Sequence, residues 1–142
     1  MLVRLLYASR ATPPLTAPVV DSILEQSRKN NAPHGITGML CFSEDIFLQV
    51  IEGGREAVCE LFNTIVRDPR HGHVRLLSYE EITERRFGGW TMGQVNIAKV
   101  NPSLLLKYST KATLDPFNNS GHASMALLNE LIETAAVVSR GG

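Results

Sequence analysis

A chain of 142 residues with 14 basic and 14 acidic side chains and 44% hydrophobic content buries about two-thirds of its unfolded surface on folding, which supports one core and leaves no room for a second. The balanced charge argues against a dedicated nucleic-acid or membrane-surface binder, since those carry a basic excess, and no apolar run is long enough to span a bilayer. Two cysteines, Cys41 and Cys59, beside four histidines provide neither a disulfide framework nor a metal site, so the expectation is a cytoplasmic protein in a reducing compartment.

Met1 to Tyr7 is too brief for a signal peptide and reads as a strand. Leu2 to Ser9 alternates, with Val3, Leu5 and Tyr7 on one face and Arg4 on the other. Thr12-Pro13-Pro14 breaks the chain. Pro18 then sits in the first turn of a helix whose stripe runs Val20, Ile23, Leu24, Ser27, Asn31, so its buried face ends in polar groups. Pro33-His34-Gly35 ends that helix. Ile36 to Phe42 and Ile46 to Glu52, joined through Ser43-Glu44-Asp45, read as an antiparallel hairpin. Gly53-Gly54 opens a second helix striped by Val58, Leu61, Phe62 and Ile65. It stops at Asp68-Pro69-Arg70-His71, because proline cannot continue the backbone ladder.

Val74 to Ile82 and Trp90 to Ala98 are the last strand candidates. The order β-α-β-β-α-β with one more strand is the ferredoxin-like, α+β pattern: two helices on one face of a mixed sheet. Pro102 to Tyr108 is a short helix. Ser120 caps a last helix with a stripe of Leu128, Leu131, Ile132 and Ala135. These closing helices make a C-terminal helical cap, giving a unit over 1–98 and a cap over 99–142.

Several residues do not fit a plain core. Gln49 lies inside Phe47-Leu48-Gln49-Val50-Ile51, and a buried amide must be hydrogen-bonded. The Tyr7 phenol needs a partner too, and pairing the two satisfies both; a purely structural pair of this kind is common in sheets and is the reading that chemistry alone favours. Asn30-Asn31 closes the first helix, as cap or as ligand-facing amides. Tyr7, Ser27, Asn31 and Gln49 therefore point into one apolar region between helices and sheet, a place suited to a planar heteroaromatic ligand. Asp68, Arg70 and His71 follow the second helix, where Arg and His either complement its dipole or bind a phosphate. Trp90 and Met92, two apart, fall on one face of the last strand, as core or otherwise.

Catalytic motifs are missing from the sequence. There is no nucleophile elbow and no phosphate loop, and His71-Gly72-His73 is too weak to read as a metal site. Ferredoxin-like folds include small phosphatases, so an enzyme of that kind stays open as an alternative on this fold. No residue set for catalysis stands out, so the expectation is a protein that is not an enzyme.

In order along the chain, five stretches resemble the BLUF domains, flavin-binding blue-light sensors. They are Leu5-Leu6-Tyr7-Ala8-Ser9; Asn30-Asn31 with Gly35-Ile36-Thr37-Gly38; Phe47-Leu48-Gln49-Val50-Ile51-Glu52-Gly53; Asp68-Pro69-Arg70-His71; and Arg86-Phe87 with Trp90-Thr91-Met92. The resemblance covers 1–98. Leu106-Lys107-Tyr108-Ser109 and the closing helix resemble the cap of the short, stand-alone PixD-like class.

That resemblance implies a noncovalently bound FAD or FMN, with a plain flavin or nucleotide-binding module without photochemistry and a flavin reductase left open as alternatives. It implies that Tyr7 is the electron and proton donor, that Gln49 bridges Tyr7 and the ring, and that Asn31, with Asn30 beside it, bonds the ring's pyrimidine side. Ile23 and Ile65 would sandwich the ring. Phe47, Ser27, Arg28, Asp68, Arg70 and His71 would lie near the ring edge, ribityl chain or phosphate. Trp90 and Met92 would relay the signal. A ring-like homo-oligomer such as a decamer and a partner of the response-regulator type are implied as well, with no nucleic acid, membrane or metal.

Overall fold

The computed structural model describes residues 1–12 and 15–134. The expected break at Pro13-Pro14, and Ala135 of the last apolar stripe, lie outside the described residues. Strands β1 (Leu2–Ala11), β2 (Thr37–Ser43), β3 (Ile46–Gly54), β4 (His71–Ile82) and β5 (Gly93–Asn96) alternate with helices α1 (Ala17–Asn31) and α2 (Arg55–Arg67), and α3 (Pro102–Tyr108) and α4 (Gly121–Glu133) follow.

The five strands form one sheet in the order β4-β1-β3-β2-β5, antiparallel at every pairing except that of β2 with β5. This is the expected mixed sheet with split β-α-β crossings. The crossings place α1 and α2 together on one face, where Val20, Ile23, Leu24 and Val58 pack on Val3, Leu5, Tyr7, Leu40, Phe47 and Ile51. The alternate residues Leu6, Ala8, Met39, Cys41, Leu48 and Val50 face the other way, under Leu105, Leu127, Leu128 and Leu131. The middle strands are buried on both faces, which is why they read as near-continuous apolar runs. Each fully buried leucine of the cap contributes about 1.5–3 kcal/mol.

Local signals place the helix ends. Pro18 occupies the first turn of α1, and Ser120 accepts a bond from the Ala123 N–H at the start of α4, as expected. Beyond α1 the chain tightens into a 3-10 turn, Ala32–His34, closed by Gly35 at φ 67°. No helix among the described residues is long and apolar enough to cross a membrane.

The last strand differs from expectation. Only Gly93–Asn96 pairs with β2. Asn96 then caps a 3-10 turn over Ile97–Lys99. Trp90 and Met92 precede the strand and do not share a face: Trp90 packs on the cap-side core and Met92 lies in the helix-side core. A two-residue alternation needs a strand conformation to impose it, and these residues lie outside any strand. Strand β4 begins at His71 rather than Val74, because His71 and Gly72 extend the ladder with Ala11 and Arg10.

One close approach anchors the hairpin: a Cβ at Gly38 would lie 2.1 Å from the carbonyl oxygen of Val50. The Gly38 N–H meanwhile donates to the Trp90 carbonyl at 3.1 Å. Gly38→Ala must push β2 from β3, so its unfolding midpoint in denaturant should fall by the equivalent of about 2 kcal/mol or more. A wild-type midpoint would show that the strands do not meet this closely.

Candidate functional site

Tyr7 on β1 and Gln49 on β3 stand directly opposite each other in the ladder, on the face that carries α1 and α2. The phenol donates to Gln49 Oε1, and Gln49 Nε2 donates to Met92 Sδ at 3.3 Å. All three side chains are buried. A thioether is a weak acceptor, so the amide is held firmly at its oxygen and weakly at its nitrogen. Burial, and secondarily the charge of Asp68, push the Tyr7 phenol well above its usual range. Tyr7 is therefore a neutral donor at all ordinary pH.

Around this pair lies a cavity of about 120 Å³. From α1 it is lined by Ile23, Gln26, Ser27, Asn30 and Asn31, which share a helix face at spacings of three and four. From α2 come Leu61, Thr64 and Ile65, and from β2 Leu40, the cross-strand partner of Gln49. Asp68, Arg70 and His71 complete the lining beyond the end of α2. No cysteine lines it among the described residues, and Cys41 lies in the cap-side core with its thiol pushed up by burial.

Asp68 and Arg70 form a local ion pair. The carboxylate accepts from Arg70 Nη2 at 2.7 Å, from Nε at 3.1 Å and from the backbone N–H at 2.8 Å. Those bonds hold the Asp68 carboxyl below the usual carboxylate range. His71 Nδ1 lies 2.9 Å from Ser9 Oγ, and its ring sits 5.2 Å from that of Phe47. Burial, against the opposing charge of Asp68, lowers its pKa.

Asn31 is 3% exposed and lines the cavity. An amide so placed fits the edge of a planar ring bearing both carbonyl and N–H groups, with Ile23 and Ile65 as apolar walls. Tyr7, Ile23, Ser27, Asn30, Asn31, Gln49, Ile65, Asp68, Arg70 and His71, chosen from sequence, all border this one cavity. Phe47 and Arg28 do not. Phe47 is packed behind the wall, and Arg28 Nη2 donates to the Met92 carbonyl at 3.2 Å. Sequence reasoning missed Gln26, Leu40 and Thr64 as lining residues. Gln26 falls three residues after Ile23, and Thr64 three after Leu61, so helical spacing carried a signal for both.

A family model described as BLUF, sensors of blue light using FAD, matches residues 2–93. Over 92 residues the chain is 34% identical to photoactivated adenylate cyclase subunit beta of Euglena gracilis. That match takes in 64% of this chain and 11% of the relative, so the chain spans about a tenth of that protein. The dark-state structure of BlrB, a BLUF protein, superimposes with a TM-score of 0.76 at 36% identity, covering 94% of this chain and 96% of that one. Klebsiella pneumoniae BlrP1 with FMN and cyclic diGMP gives a TM-score of 0.69 at 32% identity, over 95% of this chain and 35% of that one. With a cleft of this composition and matches of this extent, the chain belongs to the BLUF family of blue-light sensors that use FAD.

Proposed function

We propose that this chain is a blue-light photoreceptor that holds flavin, as FAD or FMN, noncovalently in the cleft between α1 and α2. The observation that carries the reading is the hydrogen-bonded chain Tyr7–Gln49–Met92 bordering that cleft. In this reading Ile23 and Ile65 flank the ring, Asn31 and Asn30 meet its polar edge, and Ser27, Asp68, Arg70 and His71 serve the ring edge, ribityl chain or phosphate, while Arg28, off the cavity, holds the Met92 carbonyl. Phe47 backs the wall. Flavin would supply the absorption of blue light and an acceptor for one electron.

The chain's own groups do the rest. Tyr7 gives up an electron; an oxidised phenol is strongly acidic, so its proton moves along the existing bond to Gln49 Oε1. Once electron and proton return, the carboxamide settles in a rotated or tautomeric form. An amide carries two donors and an acceptor on one rotor, so both arrangements stay bonded and differ by only a few kcal/mol. Breaking the weak bond to Met92 Sδ releases the Met92 side chain ahead of β5, and the cap receives the change. The role is sensing, not turnover.

Residues 1–98 would be the sensor and 99–142 the surface a partner protein reads. A ring-like homo-oligomer and a partner of the response-regulator type belong to this reading on the likeness of the cap alone.

Tyr7→Phe should bind flavin and lose the red-shifted state in a light-minus-dark absorption spectrum, at a stability cost of about 1 kcal/mol for one bond. A wild-type shift in that variant removes Tyr7 from the mechanism. Gln49→Leu should stay yellow and show no reversible shift under blue light; an intact shift would defeat the amide switch. The flavin-free protein should also lose stability in thermal melts as pH falls. The lowered His71 pKa means that the unfolded chain takes the proton first, so its contribution is full above about pH 6.5 and declines below it. The Asp68 contribution is lost further down, below the ordinary carboxylate range. His71→Gln should flatten the upper part of that decline, and an unchanged profile would exclude His71 as its source.

A further inference from the structure

Glu52 stands three residues along β3 from Gln49 and so points to the opposite face of the sheet, under the cap. It is fully buried and its carboxylate is densely bonded. Arg4, directly across the ladder, donates Nε to Oε2 at 2.7 Å. The backbone N–H of Arg86 lies 3.1 Å from both oxygens, and that of Phe87 donates to Oε1 at 2.6 Å. Arg4 is held in turn by Glu80 at 2.7 Å.

Two of these donors belong to the loop between β4 and β5, the loop that ends at Met92. Its far end is tied by Gln49 to Met92 Sδ and by the Gly38 N–H to the Trp90 carbonyl. Two of the side chains gripping this loop thus come from β3, one from each face, and Arg28 of α1 adds a bond to the Met92 carbonyl. From the near end, Phe87 is fully buried in the cap-side core and Arg86 Nη1 donates to Asn129 of α4 at 3.1 Å.

A buried ion pair is weak evidence for stability, since apolar residues of the same volume often do as well. What a carboxylate supplies here is position, because one buried, rigid side chain accepts from two successive backbone amides of an irregular loop.

We propose that Glu52, held by Arg4, is a positioning residue of the light switch: it pins the loop so that Met92 reaches Gln49, and it makes the loop pivot against α4 when that contact is released. The proposal rests on the photoreceptor reading above. When Gln49 lets go of the sulfur, the Met92 side chain is released while the loop backbone stays fixed at Arg86 and Phe87. Motion at one end therefore becomes a change in the angle at which Arg86 meets Asn129.

Trp90 is the only tryptophan of the chain and reports on the loop. The experiment compares flavin-loaded wild type and Glu52→Gln, recording absorption and the acrylamide quenching of Trp90 emission in the dark and under blue light. Both proteins should keep the red shift, because Tyr7 and Gln49 are intact. Wild type should show light-dependent quenching; Glu52→Gln should show dark quenching raised severalfold and no light dependence. Wild-type behaviour of Trp90 in Glu52→Gln overturns the proposal, whereas a wild type without a red shift overturns the photoreceptor reading instead. Should Glu52→Gln not fold, amide exchange in the wild type decides: the Arg86 and Phe87 amides should exchange at least about tenfold more slowly than those of the loop before them, in dark and light. Free exchange there overturns the pin.

Discussion

In the ladder between β1 and β3, Tyr7 faces Gln49 and, three positions away, Arg4 faces Glu52. Residues opposite one another in an antiparallel pair share a face, with Cβ atoms about 4.5–5.5 Å apart, so one register satisfies a neutral polar pair on the helix side and a charged pair on the cap side. A slip of β1 by one residue would turn the phenol toward the cap and bring Arg4 into the helix-side core, leaving Gln49 and Glu52 each without its partner. The cleft, the amide rotor and the loop anchors all depend on that register.

The bonds in the cleft differ in kind from those under the cap. Gln49 is held by a phenol and a thioether, neutral partners whose net contributions are about 1 kcal/mol or less each, and such an arrangement can be exchanged for another. Glu52 is held by a guanidinium and two backbone amides; charge-assisted bonds of this sort are roughly twice as strong as neutral ones. The sheet therefore carries a soft contact and a stiff one on opposite faces of the same strand. Asp68 and Arg70 add little to stability, being a local pair with the guanidinium 37% exposed; their place in the lining of the cleft is what makes them of interest.

The family match ends at residue 93, while the likeness to BlrB extends over 94% of this chain. The helices that cover the second face of the sheet thus belong to the shared architecture with a chain of similar length. In the relative from Euglena gracilis the same stretch is about a tenth of a far larger protein. The sensor unit is common to both, and what surrounds it differs.

Most of the helix-side design was readable in order. Helical spacing on α1 and α2 named Ile23, Ser27, Asn31 and Ile65, and a lone glutamine in an apolar run named Gln49. Spacing alone assigned those residues to faces, because regular backbone has a fixed period. Only the folded chain decided that Trp90 and Met92 part to opposite sides, since residues outside a ladder follow no period. Only the folded chain, too, revealed the use of Glu52. A carboxylate at the end of an apolar run looks like the edge of a strand, and the loop whose amides it holds arrives from residues 34 and 35 positions away.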